Sequence, residues 1–163
     1  MTPTDDPPIV FDGDSNETRD ELVALYRAYW TANDVLKNEM LDGVYTTRPD
    51  AIYFNTNGHV YEGLDDWLNI WDYYRPRMNM IEAARGGKLR IAVRDDLAVM
   101  VDDHIVRSYE WRASEDEPNF VKGNPHVRMT FVCMREADGW RIVHTHFSER
   151  ATGPRPDQIA QQS

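Results

Sequence analysis

Polar and apolar side chains alternate along Trp140-Arg-Ile-Val-His-Thr-His-Phe-Ser148 and along His126-Val-Arg-Met-Thr130, the period-two signature of β-strands. In an unbroken strand His144, His146 and Ser148 share one face, and so do His126, Arg128 and Thr130. Two polar triplets on strands otherwise rich in Val, Ile, Met and Phe predict a cavity lining. The opposite positions Val127, Met129, Phe131 and Cys133 are apolar, which predicts a second covered face and hence a homodimer or higher homo-oligomer.

Upstream the period changes. Thr18-Arg-Asp-Glu21 fits a capping box, and Leu22, Leu25, Tyr26, Tyr29 and Trp30 recur at helical spacing. Asp34 continues that stripe, and a shorter helix is expected over 35–44. Asn57-Gly58 between 51–55 and 59–62 predicts a hairpin. Leu64, Trp67, Leu68 and Trp71 mark another helix, with Asp65 and Asp66 in its first turn and Pro76 near its close. Strands follow over 88–95, 97–112, 126–135 and 139–148, with 114–124 as a polar loop. Residues 1–16 read as a flexible arm, 17–150 as one domain and 151–163 as a flexible tail. The order implies an α+β fold, a curved antiparallel or mixed sheet wrapped around N-terminal helices.

Composition narrows the partners. The 163 residues suit a single core, and a net charge of −10 disfavours nucleic acid and anionic membranes. No apolar run is long enough to span a bilayer, and the acidic, Pro-rich start lacks a secretory pattern, so a cytoplasmic address is expected. The single cysteine, Cys133, excludes an internal disulfide and reads as a buried spectator. Three histidines on neighbouring strands invite a metal, but no carboxylate completes the set and Arg128 would repel a cation; no metal and no cofactor are expected.

The stretches Asp138-Gly-Trp-Arg-Ile-Val-His-Thr-His-Phe-Ser148, Arg128-Met-Thr-Phe-Val132 and Gly58-His-Val-Tyr-Glu-Gly63 resemble the SnoaL-like branch of the nuclear transport factor 2 (NTF2) superfamily, which includes ketosteroid isomerase and scytalone dehydratase. The resemblance implies an NTF2-like cone over about residues 18–150. The position of the ketosteroid isomerase base is matched by Asn55, which cannot abstract a proton. The dehydratase pattern points instead to Asp34, Tyr53, and His126 or the pair His144 and His146. With Arg128 as an oxyanion partner, these form the expected catalytic set. Tyr26, Trp30, Asn55, Tyr109, Thr130 and Ser148 are the expected substrate-binding residues.

The implied function is a cofactor-independent lyase, with an isomerase second, acting by proton transfer on a small aromatic or polyketide-like substrate. Dehydration, retro-aldol-type fragment loss and isomerisation all fit. The alternatives are a ligand-binding or oligomer-assembly module similar to the association domain of calmodulin-dependent kinase, and an enzyme similar to the metal-independent carbonic anhydrases.

Overall fold

Ser15, rather than Thr18, opens the first helix. Its Oγ accepts the backbone N–H groups of Glu17 and Thr18 at 3.1 and 3.4 Å, so α1 runs Asn16–Val35 in the computed structural model, which describes residues 7–153 and residue 155. The buried stripe is the expected one, Leu22, Leu25, Tyr26, Tyr29 and Trp30, but it ends on Asn33 rather than on Asp34. Leu36 stops the helix in the left-handed region (φ 50°, ψ 44°), its N–H returned to the Ala32 carbonyl. The helix expected over 35–44 is reduced to a 3-10 turn, Asn38–Leu41. The second helix, α2 (Gly63–Tyr74), buries Trp67 and Trp71 one turn apart. Asp66 Oδ2 accepts the Glu62 N–H at 3.0 Å and so fixes its start.

The described strands are β1 (Ile9–Asp12), β2 (Ile52–Phe54), β3 (Val60–Glu62), β4 (Met78–Arg85), β5 (Leu89–Arg94), β6 (Leu97–Trp111), β7 (Val121–Gly123), β8 (His126–Glu136) and β9 (Gly139–Glu149). They form one sheet in the order β1-β5-β6-β8-β9-β2-β3, with β4 and β7 also paired to β6. The pairs β1–β5 and β2–β9 are parallel and the others antiparallel. The expected hairpin is β2–β3, with Gly58 supplying the positive φ of 82° in its turn.

This is the expected α+β architecture, with α1 and α2 inside a curved mixed sheet. No described helix is long and apolar enough to cross a membrane. Three strands were not foreseen. Ile9–Asp12, placed in a flexible arm by the sequence, pairs with Leu89–Ala92. Strand β4 carries no clean alternation, and β7 sits within the polar loop. Residues 1–6, 154 and 156–163, parts of the expected arm and tail, lie outside the described residues.

Two one-residue bulges decide which side chains face inward. On β6 the register against β8 slips between Asp102 (opposite Met129) and Ile105 (opposite Val127). Before the slip Ala98, Met100 and Asp102 point in; after it Ile105, Arg107 and Tyr109 do. On β9 a slip lies between Ile142 (opposite Cys133) and His144 (opposite Val132). Trp140 and Ile142 point in before it, and Thr145 and Phe147 after it.

This corrects the expected cavity lining. Past the β9 bulge His144, His146 and Ser148 are turned to the outer face. On β8, Val127, Met129, Phe131 and Cys133 form the core face, at most 5% exposed, so His126, Arg128 and Thr130 point outward. The apolar set is the one covered by α1, through contacts such as Tyr29 on Phe131 with ring centroids 5.0 Å apart. Cys133 is buried as expected, and burial pushes its thiol up to about 12.

Candidate functional site

The open end of the cone holds a cavity of about 270 Å³. The second half of α1 supplies Tyr29, Trp30, Asn33 and Leu36 to its wall; α2 supplies Trp67, Trp71 and Tyr74. Met78 and Met80 come from β4, and Arg107, Tyr109 and Trp111 from β6 beyond its bulge. The β2–β3 turn contributes Asn55, Thr56 and Asn57, and Pro125, Val127, Phe147 and Glu149 close the far side. Aromatic rings dominate: Tyr29 stands edge-on to Trp30 at 5.0 Å, and Phe147 stacks on Trp67 at 6.4 Å. Such a surface suits a flat apolar ligand with a few polar anchors.

Arg107 is the one Lys or Arg among these lining residues, and Glu149 the one acid. The Arg107 Nη2 donates to the Met80 Sδ at 3.1 Å, and its Cζ lies 5.3 Å from the centre of the Trp30 ring. Its Nε has no hydrogen-bond partner among the described residues, nor do Trp30 Nε1 and Asn33 Oδ1. Among the described residues no carboxylate lies within 4.0 Å of the guanidinium. Burial lowers the pKa of Arg107, opposed by Tyr29, Asp34 and Tyr109, yet an arginine stays charged at neutral pH. Tyr109, two residues along the same strand face, is held above its ordinary pKa by burial. Arg107 pulls it down and Glu149 pushes it up. Burial raises the Tyr29 hydroxyl strongly as well.

The residues singled out from sequence divide in two. Trp30, Asn55 and Tyr109 line the cavity. Tyr26 does not: its hydroxyl donates to Asp102 Oδ2 at 3.1 Å in the core. Tyr53 is fully buried against Tyr45 and Trp67, away from the cavity wall. Asp34 sits just behind the wall. Both its oxygens accept the Ala84 N–H, at 3.1 and 3.2 Å, and burial raises its pKa.

Outside, His126 Nδ1 lies 3.0 Å from His104 Nε2, and Arg128 donates to the Glu149 carbonyl at 3.1 Å. His144 Nδ1 meets the Ile52 carbonyl at 2.6 Å, and Phe54 packs edge-on against His144 and His146. Thr130 and Ser148 lie on the same outer face, opposite His146 and Arg128. Among the described residues no three His, Cys, Asp or Glu side chains gather as a metal-ligating group. Sequence reasoning missed Arg107, Tyr29, Asn33 and Glu149. The one available signal for Arg107 was Asp102-Asp103, a polar pair interrupting the apolar alternation of β6 where the bulge occurs.

Comparison with known proteins agrees with this fold. A ketosteroid isomerase-like protein from Erwinia carotovora superposes with a TM-score of 0.67 at 16% identity, covering 86% of this chain and 100% of that one. An NTF2-like superfamily protein from Salmonella enterica gives 0.66 at 16%, covering 88% and 99%. A candidate dehydratase of the NTF2-like family from Streptomyces avermitilis gives 0.65 at 14%, covering 85% and 100%. At these identities the likeness concerns the fold. No curated protein matches the sequence significantly. The SnoaL-like domain matches residues 22–152, nearly the whole folded chain, and the protein therefore belongs to the SnoaL-like family.

Proposed function

We propose that the protein is a cofactor-independent enzyme, a lyase or an isomerase, that moves a proton on a small aromatic or polyketide-like molecule bound in the cavity. The observation that carries this reading is Tyr109, a phenol on an aromatic cavity wall that feels both the Arg107 cation and the Glu149 carboxylate. Burial keeps the phenol protonated at neutral pH, and the neighbouring guanidinium makes it a stronger donor. It would donate to a carbonyl oxygen as negative charge develops there. Glu149 would take the proton from the adjacent carbon. Loss of a leaving group completes a lyase cycle; return of the proton at another carbon completes an isomerisation. Each positioned acid or base is worth about 10²–10⁴ in rate.

Asn55 supports this division of labour. It lines the cavity at the position that resembles the ketosteroid isomerase base, and an amide cannot take the proton. The same observation favours a second reading, a binding module without catalysis. To separate them, small aryl ketones and β-hydroxy aryl ketones would be incubated with the protein in D₂O and followed by proton NMR. Loss of the α-C–H signal or elimination of water, abolished in Glu149→Gln, supports the enzyme. Saturable binding without exchange across the panel favours the module.

Assembly as a homodimer is part of the proposal. The outer sheet face exposes Ile52, Phe54, Leu97 and Met134, between 37% and 46% accessible, with Phe54 packed on His144 and His146.

A further inference from the structure

We propose that the cavity's ligand carries a carboxylate and that Arg107 is the group that binds it. The inference rests on the reading above in taking the cavity as the working site, but not on any reaction there.

The sheet spends structure on putting a guanidinium at this place. Without the bulge between Asp102 and Ile105, Arg107 would follow the other parity and stand outside. The bulge is held by a fully buried carboxylate: Asp102 Oδ1 accepts the N–H groups of His104 at 3.0 Å and Gly87 at 3.2 Å. Once inside, Arg107 is poorly served by the protein. A guanidinium carries five N–H donors. Here one nitrogen donates to a thioether, a weak acceptor, and Nε has no partner among the described residues. The nearby carboxylate, Asp34, is engaged by the Ala84 N–H and lies beyond ion-pair distance of Arg107. A buried charge without a counter-ion is expensive, and the planar fork matches a carboxylate in shape and charge.

The surroundings select among anions. Among the described residues Arg107 is the sole cation in the wall, so a monoanion is balanced and a phosphate dianion is not. The Trp30 ring beneath the guanidinium and the aromatic walls ask for a flat apolar body. About 270 Å³ is at the small end for ligand sites and admits one or two rings. Glu149, exposed at the end of β9, is screened by solvent and repels the same charge. The ligand is thus oriented with its acid toward Arg107 and its other end toward Glu149 and Asn55. The class is a small aromatic carboxylate.

The test titrates the full chain with benzoate and 2-naphthoate against their neutral isosteres, benzamide and 2-naphthamide. Tryptophan fluorescence reads the binding, since Trp30, Trp67, Trp71 and Trp111 line the site, and calorimetry checks it. The acids are expected to bind at least about tenfold tighter than the amides, the increment of a charge-assisted hydrogen bond. Arg107→Met is expected to erase that preference. Equal affinity for acids and amides, or a preference that survives Arg107→Met, overturns the proposal. Should Arg107→Met fail to fold, the wild-type comparison decides alone. Amides that bind as well as acids leave the aromatic proton-transfer site standing while the carboxylate falls. Carboxylate binding with no deuterium exchange in any ketone leaves this proposal standing while the enzymatic reading falls.

Discussion

Asp102 and His104 stand two residues apart on β6, and the Asp102 carboxylate accepts the His104 backbone N–H at 3.0 Å. That bond clamps the extra residue of the bulge and turns the rest of the strand over, so that Arg107, Tyr109 and Trp111 reach the cavity. The same carboxylate also takes Gly87 N–H and the Tyr26 hydroxyl. A fully buried acceptor with three donors is therefore both a structural joint and the reason the site has its cation.

Asp102→Ala should leave two backbone N–H groups without their acceptor and cost about 2–4 kcal/mol of folding stability. Asp102→Asn keeps one carbonyl oxygen for those amides and should cost less. Urea denaturation of both variants checks the order, and an alanine variant within about 0.5 kcal/mol of wild type would show that the bulge is held by strand pairing instead.

Arg107→Met should behave oppositely. Removing a buried charge that has no close carboxylate, and filling the space with an apolar chain, is expected to leave stability unchanged or raise it by about 1 kcal/mol. Thermal unfolding reads this directly. A loss above about 2 kcal/mol would mean that Arg107 is held chiefly by Asp34 and serves the fold.

The contrast between these positions explains what the sequence could and could not reveal. The helical stripe from Leu22 to Trp30 and the long strands β5, β6, β8 and β9 were legible because burial on one side enforces a regular period. Trp30 was legible as a wall residue from the helical stripe, and Asn55 from its resemblance to the ketosteroid isomerase base position, whereas Tyr109 has the parity of Arg107 and reaches the cavity only through the bulge. Facing was another matter. Counted from Ala98 and Met100, Arg107 falls outside; counted from Trp140 and Ile142, His144 falls inside. One extra residue in each strand reverses both answers. On β8 no bulge intervenes, but either face could have been the core until α1 was seen to cover Met129 and Phe131.

Asp34 provides a pH-dependent signature. Burial raises its pKa above the unfolded value, outweighing the Ala84 N–H and Arg107, which lower it. An acid whose folded pKa is the higher one binds its proton more tightly when folded. Stability therefore falls as pH rises from the ordinary carboxylate range through the folded pKa, and the penalty stays at neutral pH. Asp34→Asn keeps an oxygen for the Ala84 N–H and removes the charge. It should match wild type at the acid end of that window and be the more stable above it, as read by denaturation across pH. A difference that does not change with pH would show that Asp34 titrates as an ordinary exposed acid.

The outer face should close on a second copy of the chain. Phe54 stands edge-on to His144 at 5.0 Å and to His146 at 5.6 Å, with Ile52 beside them on β2, a patch in which rings and imidazoles are already ordered against one another. Nothing in the core requires this ordering, because Tyr53 alone carries the inward packing of β2. Light scattering at tens of micromolar protein should give twice the chain mass of 19.0 kDa. Phe54→Glu places a charge at the centre of the patch and should weaken self-association by at least about tenfold, since central aromatic contacts carry most of an interface's energy. Phe54 is outside the cavity, so benzoate binding by the resulting monomer should stay within about twofold of wild type. A wild-type chain that runs as a monomer, or a Phe54→Glu variant that still dimerises, would assign the patch to another role.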